Sequence, residues 1–386
     1  MESDGLSVFD VESVILSGRA RHGDWGIHMP RILSFVVMLA VTVVGSGPTY
    51  IDAATFHVSI TDLGILPGDD FSVALAINER GQAVGYSYGS VPGEYHPVLW
   101  QNGTSISLIG SGFLVDINNR GQIVGGRTSI SGNEIVIHAA LWQDGTITDL
   151  EALPGSTYSL AWAINDRGEI VGVCRAGSYE APRFHAVIWR DGSVTDLGAL
   201  PGDSDSYAVD INARGDVAGS SQFGSGAEVV YSPVLWRNGR IIELGSSSDS
   251  ATGFSPYGMN NRGQIVGDAD VAGSIDAVLW QGGTIADLGR LPGDTSSKAN
   301  AINDRGQIVG ASFFDPLYLQ HAVLWIGGNL VELEMLPGDD TSHALDINNS
   351  GHIVGQSGRH AVVWQLESEK PRTPPRFSWL FARPRH

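Results

Sequence analysis

The residues most able to do chemistry in this chain recur at fixed places. Leu-Pro-Gly occurs at Leu66, Leu153, Leu200, Leu291 and Leu336, and carboxylates follow it in four cases: Asp69 and Asp70, Asp203 and Asp205, Asp294, and Asp339 and Asp340. Hard cations need several oxygen ligands at once, and adjacent carboxylates with turn carbonyls supply them, so Asp69, Asp70, Asp339 and Asp340 are candidate Ca2+ ligands. The competing reading is that each Asp satisfies backbone donors of its own turn. The dense Asp-x-Asp-x-Asp-Gly spacing of strong calcium loops is absent. Histidine recurs before a short apolar run at His96, His138, His185, His321 and His360. Imidazole is a common metal ligand, but these histidines fall in different repeat units, too far apart to share an ion, which favours a hydrogen bond inside each unit. Aromatic side chains crowd the irregular segments, and Tyr86, Tyr88, Tyr95, Tyr179, Phe184, Tyr231, Phe313 and Tyr318 are candidate ligand contacts.

Other polar sets have structural readings. Asp116, Asp210 and Asp346 stand two residues before a repeated Asn; on an enclosed strand each must be paired or hydrogen-bonded. Arg80, Arg120, Arg167, Arg214, Arg262 and Arg305 share one turn position, where an anion-binding ring competes with pairing to nearby carboxylates. No Gly-x-Ser-x-Gly elbow, metal triad or phosphate loop appears, so no catalytic residue is assigned. Lys298, His343 and Trp162 break the repeat pattern at axial positions and keep an enzyme in view.

A repeat positions all of these. Gly-x-x-x-Gly begins at Gly81, Gly121, Gly168, Gly215, Gly263, Gly306 and Gly351, and an asparagine stands three residues earlier each time, from Asn78 to Asn348. Successive asparagines are 40 to 48 residues apart, the size of one propeller blade. Trp100, Trp142, Trp189, Trp236, Trp280, Trp325 and Trp364 each end a short apolar run and read as packing between sheets. Each unit reads as four strands, a to d. Strand a ends in Ile-Asn, an Asn-x-Arg-Gly turn follows, strand b is Gly-x-Ile-Val-Gly, strand c runs to the Trp, and Asn-Gly or Asp-Gly leads into strand d. Strand-d endings fall at Leu63, Leu108, Leu150, Leu197, Leu244, Leu288 and Leu333. The first has no blade before it, and Trp364 has no strand d after it. The fold expected is therefore all-β: a single seven-bladed β-propeller of four-stranded blades, with the N-terminal strand completing the last blade and leaving no open end. The irregular b–c segments, 86–95, 127–137, 174–184, 220–231, 268–275 and 311–320, read as loops sharing one rim with the acidic d–a loops.

Composition sets the context. Lys plus Arg number 23 against 42 Asp plus Glu, a net charge of −19, which repels nucleic acid and anionic lipid and favours cations or basic partners. The one cysteine, Cys174, rules out an intrachain disulfide and a multi-cysteine zinc site, and reads as a small strand residue. Residues 1–54 read as an N-terminal extension and secretory signal peptide, with the signal core at 29–47: a positive flank, a short apolar run and small residues. An uncleaved anchor is the alternative there. The propeller then spans 55–366, and 367–386 read as a basic, Pro-rich, disordered tail.

The recurrent His-Ala pairs at His138, His185, His321 and His360, in register with the glycines and Trp over about residues 56–366, resemble the HAF-repeat family of extracellular bacterial proteins. His96-Pro97 departs slightly, and Ser232-Pro233 and Asp276-Ala277 lack the His. The resemblance implies export and a propeller-like repeat, and no reaction. Two functions remain. One is a monomeric exported binding module, periplasmic or extracellular, with a glycan, peptide or cation at the b–c/d–a rim and no transmembrane domain in the mature protein. The other is an extracellular propeller enzyme, a hydrolase or lyase acting on polysaccharide.

Overall fold

The computed structural model describes residues 49–50, 58–89, 95–108, 112–131, 134–178, 181–224, 230–245, 251–314 and 319–366. The segments expected to be a signal-peptide core, 29–47, and a C-terminal tail, 367–386, lie outside this set. Within it the chain forms seven antiparallel sheets of the expected a-b-c-d order and no helix, a seven-bladed β-propeller. Blade 1 is typical: strand a Phe71–Ile77, b Ala83–Tyr88, c Tyr95–Gln101 and d Thr104–Ser107. In blade 7 the outer strand is Val58–Asp62, paired antiparallel to His360–Leu366 with Ile60 opposite Trp364. The short Thr49–Tyr50 strand lies parallel to the outer strand of blade 6, opposite Asn329 and Leu330.

Apolar alternation on both sheet faces places the core between blades, in seven clusters that each join two neighbours. The cluster that closes the ring joins Ala74, Ile77 and Trp100 of blade 1 to Val354 and Ala361 of blade 7. The repeated Trp side chains sit in these layers. Trp364 is fully buried, and the indole N–H groups of Trp100, Trp189, Trp236 and Trp364 donate to carbonyls of d–a loops.

Each part of the repeat has a backbone reason. Strand a carries a bulge at the same place in every blade, at Leu75, Val115, Trp162, Val209, Tyr257, Asn300 and Leu345. The bulge brings a strand-a carbonyl against the second glycine of Gly-x-x-x-Gly, where any Cβ would overlap that oxygen, as Gly85 shows against Val73. The first glycine has positive φ, 73° at Gly81.

Neighbouring blades also complement one another residue by residue. The Ala at the second position of the His-Ala pair on strand c, preceded by Asp276 in blade 5, donates its N–H to a serine hydroxyl on strand a of the next blade: Ala139 to Ser159, Ala186 to Ser206, Ala277 to Ser297, Ala322 to Ser342 and Ala361 to Ser72. Where strand c has Pro97 or Pro233, which carry no N–H, the matching positions of the next blade are Gly112 and Phe254, which carry no hydroxyl. A second pairing links the Leu-Pro-Gly loop to strand b. The Leu N–H groups of Leu66, Leu200, Leu291 and Leu336 donate to Ser87, Ser221, Ser312 and Ser357. In blade 3 Cys174 takes the serine's place and bonds the Leu153 N–H, and burial pushes its thiol up. The lone cysteine is thus a fully buried strand residue.

One expectation is corrected. The b–c segments of blades 2 to 6 are largely not loops but continued ladders. Strand b of blade 3 runs Ile170–Ser178 and strand c Ala181–Arg190, with pairs out to Ser178 and Ala181. Once the two strands are in register, continuing the ladder satisfies every N–H and C=O, which a loop would leave to water.

Candidate ligand-binding face

The two ends of the propeller are built differently. At the a–b end the repeated asparagines form a closed ring. Each Asn Nδ2 donates to the backbone carbonyl of the Asn in the next blade: Asn78 to Asn118 at 3.0 Å, on through Asn165, Asn212, Asn260 and Asn303, and Asn348 back to Asn78 at 2.9 Å. In six blades the Asn Oδ1 accepts two N–H groups of its own turn, as Asn118 does from Arg120 and Gln122, and Asn348 accepts one, from His352. The next residue in each turn makes a second ring: Glu79 N donates to Asn119, Asn119 to Asp166, Ala213 to Asn261, Asn261 to Asp304, Asp304 to Asn349 and Asn349 to Glu79. The link from Asp166 to blade 4 is missing because Ala213 has no acceptor. A cavity of about 200 Å3 opens at this end, and these rings line it. Most of its polar groups are therefore already engaged.

Asp116, Asp210 and Asp346 lie just behind the rings and work as inter-blade bridges. One oxygen of Asp346 accepts from Ile347 N at 2.7 Å and the other from Ile77 N of blade 1 at 2.8 Å. Asp116 joins blades 2 and 3 through Ile164, and Asp210 joins blades 4 and 5 through Met259. Burial pushes Asp116 and Asp210 up to about 7 and Asp346 up to about 6, against the N–H bonds that favour the ionised form.

At the opposite end the d–a loops meet the tips of strands b and c. Asp70 N bonds Tyr88 O, and Gly89 packs against Gly68 and Asp69. The candidate cation ligands are placed here, but each inner carboxylate has an internal partner. Asp69 lies 2.9 Å from His96 Nδ1, and Asp339 accepts from Ser357 Oγ at 2.7 Å. Asp70 and Asp340 are exposed beside them. Among the described residues no three His, Cys, Asp or Glu side chains converge enough to hold an ion. The repeated histidines likewise meet carboxylates of their own blade: His185 with Asp196 at 2.8 Å and His360 with Asp62 at 3.0 Å. In blade 5, Asp276 stands in the histidine's place and pairs instead with Arg290.

The aromatic candidates fall into groups on this same face. Tyr88 and Tyr95 are cross-strand partners, with ring centroids 5.4 Å apart; Tyr86 packs edge-on to Tyr95. Phe71 of strand a stacks on Tyr88 at 4.8 Å, and the Arg359 guanidinium of blade 7 lies 4.8 Å from the Phe71 ring. Across the ring, Phe184 of blade 3 stacks at 5.5 Å on Tyr207 of blade 4, which packs against Tyr231. Tyr231 is 52% exposed and Phe223 beside it 59%, the most exposed aromatics of the described face. Phe313 meets His343 edge-on at 6.3 Å. Tyr179 and Tyr318 lie outside the described residues. The structure thus brings Tyr86, Tyr88 and Tyr95 together, and Phe184 with Tyr231, but no single pocket gathers all the candidates.

Inner strands of blades 5 to 7 add a polar cluster. The Lys298 ammonium lies 3.9 Å from the Tyr257 ring centroid, and the Tyr257 hydroxyl is 3.2 Å from Asp268. Asn300 Nδ2 donates to His343 Nε2 at 2.7 Å and to Ala344 O. Burial, with Lys298 adding to it, pushes His343 down to about 3. Burial also lowers Lys298 and raises Asp268, each opposing the other's shift. Phe71, Tyr207, Tyr257, Asn300 and Asp268 had no signal as isolated residues. Four of the five stand on strand a, and aligning the blades on the repeat Asn exposes the irregularity: the residue five before it is Val73, Phe113, Leu160, Tyr207, Ser255, Lys298 or His343.

The class defined here is a closed seven-bladed propeller with one end ringed by repeat hydrogen bonds and the other bearing variable aromatic and polar groups. No protein-family model matches the chain, and no curated protein matches it. Among solved structures the chain is similar to a streptogramin B lyase (10% identity, 80% of this chain and 98% of that one, TM-score 0.49) and to a gluconolactonase of Xanthomonas campestris (13% identity, 83% and 95%, TM-score 0.41). It is also similar to TolB of Acinetobacter baumannii (12% identity, 56% and 52%, TM-score 0.38). No helix among the described residues is long and apolar enough to cross a membrane.

Proposed function

We propose that this protein is an exported binding module that takes a glycan on the face formed by the b–c tips and d–a loops. The observation that carries the reading is the segregation of side chains. The a–b end spends its repeated polar groups on closing the ring, while the opposite end presents stacked and exposed aromatics that no repeat rule requires. Flat aromatic faces on a rigid scaffold suit the apolar faces of sugar rings, and flanking acids and amides suit their hydroxyls. Export is supported by the apolar run and flanks of residues 29–47. A glycan array on the propeller, with and without Ca2+, tests both the ligand and the cation reading. Tyr231→Ala should then weaken the best hit about 10-fold, the loss of one well-placed ring. Unchanged affinity in that variant and in Tyr88→Ala refutes the assignment of this face. The polar cluster around Lys298 and His343 favours the enzymatic alternative, and product release on prolonged incubation with the same glycan would decide for it.

A further inference from the structure

The Lys298 side chain is out of keeping with its surroundings. The protein carries a net charge of −19, and its basic side chains on this face mostly have acidic partners: Arg127 has Asp149, Arg183 has Asp205 and Arg290 has Asp276. Lys298 has none. Among the described residues its ammonium has a tyrosine ring as its neighbour and no carboxylate within ion-pair reach. Asp268, the acid nearest in effect, is engaged by the Tyr257 hydroxyl. A largely enclosed ammonium held over a ring, with its one acid neighbour beyond ion-pair distance and shared with a tyrosine hydroxyl, is a costly arrangement that the repeat does not require. Val73, Phe113 and Leu160 hold the same position in blades 1 to 3, so the scaffold does not need a lysine there.

Apart from Asp268, whose charge it feels only from beyond ion-pair distance, the neighbours of Lys298 supply donors. Asn300 Nδ2 donates to His343 Nε2, which leaves the imidazole proton on Nδ1 and the ring neutral. Its low pKa agrees with that state. A neutral imidazole N–H beside an ammonium can receive an anion without competing for it. Phe313, one of the aromatics of the ligand face, lies against the same histidine, so the cluster is continuous with that face rather than a separate site.

We propose that Lys298, with His343 beside it, is a carboxylate-recognition subsite, and that the glycan bound on this face carries a uronic-acid residue whose carboxylate pairs with the Lys298 ammonium. The inference rests on the glycan reading of the face. A carboxylate on an acidic peptide would offer the same charge, but the stacked planes of Phe71, Tyr88, Phe184 and Tyr207 favour a ligand built of rings. A mostly acidic protein would repel a dense polyanion, so a sparse uronate in an otherwise neutral chain fits better than a polyuronate.

The test is calorimetry with a glucuronate-containing tetrasaccharide and with its methyl ester, which removes the charge and keeps the rings. Wild type should bind the acid about 10-fold more tightly than the ester. Lys298→Met keeps the aliphatic stem and should bring the acid to the ester's affinity without changing the ester. Lys298→Arg should restore most of the preference. Tyr231→Ala should weaken acid and ester equally. If Lys298→Met, shown to melt like wild type, retains the preference for the acid, the subsite is refuted while the glycan face stands. If neither sugar binds wild type but an acidic peptide does so through Lys298, both the uronate assignment and the glycan reading fall.

Discussion

Removing one repeat asparagine should cost several times what a surface substitution costs. Asn118 is 4% exposed and its side chain makes four hydrogen bonds. Oδ1 accepts from Arg120 N (3.0 Å) and Gln122 N (3.1 Å), and Nδ2 donates to Gln122 Oε1 (2.8 Å) and to Asn165 O of the next blade (3.1 Å). Asn118→Ala strands two turn N–H groups and removes the inter-blade donor to the Asn165 carbonyl, which keeps only the Gly168 N–H of its own turn. At about 1–3 kcal/mol per unsatisfied buried group, discounted because the turn is half open to water, the loss should be about 3–5 kcal/mol. Asn212 supplies an internal control. Its Nδ2 reaches the Asn260 carbonyl only at 3.5 Å, so Asn212→Ala gives up a weaker inter-blade bond and should cost about 1 kcal/mol less. Asn118→Asp separates the two functions of the side chain. It keeps the acceptor for the turn and sets a carboxylate oxygen against the Asn165 carbonyl, so it should be destabilised at neutral pH and partly recover in acid, when a protonated oxygen can donate. Urea unfolding at fixed pH, read as the midpoint with an unchanged slope, measures all three. A loss below about 1 kcal/mol for Asn118→Ala would refute the view that the asparagine ring holds neighbouring blades together.

Two further outcomes follow from the same end of the molecule. Ala213→Asn places an acceptor where the second ring is broken, opposite the Asp166 N–H, and should gain about 0.5–1.5 kcal/mol in the same urea assay; no gain would mean that water already satisfies that donor. The three bridging aspartates set the pH dependence. Their folded pKa values, about 7, 7 and 6, lie above the unfolded 3.8, so their contribution is complete below about pH 4 and is lost as pH rises through 6 to 7. His343, pushed down to about 3, acts oppositely over pH 3 to 6.5 and offsets one of the three. Unfolding free energy should therefore fall between pH 4.5 and 6, by on the order of 2 kcal/mol per pH unit. A flat or rising profile contradicts it.

The fold was legible because each repeat residue obeys a backbone rule strict enough to leave a periodic trace. Only glycine fits beneath the strand-a bulge at Gly85, and only a side chain with both an acceptor and a donor closes the turn and the ring at Asn78. Such rules act within one blade or between neighbours, so seven copies write them seven times. The ligand face obeys no such rule. Tyr207, Lys298 and His343 occupy one strand position in three blades, and each meets a partner from a different element: Tyr231, the Tyr257 ring and Asn300. Those meetings depend on how blades curve round the axis, which sequence spacing does not record. The carboxylates of the d–a loops obey a repeat rule as well: Asp69 and Asp339 recur after Leu-Pro-Gly and anchor the loop to His96 and Ser357. In a ring built from copies, then, regular recurrence marks what the scaffold needs. Departure from it, as at Lys298, is the better guide to what the protein binds.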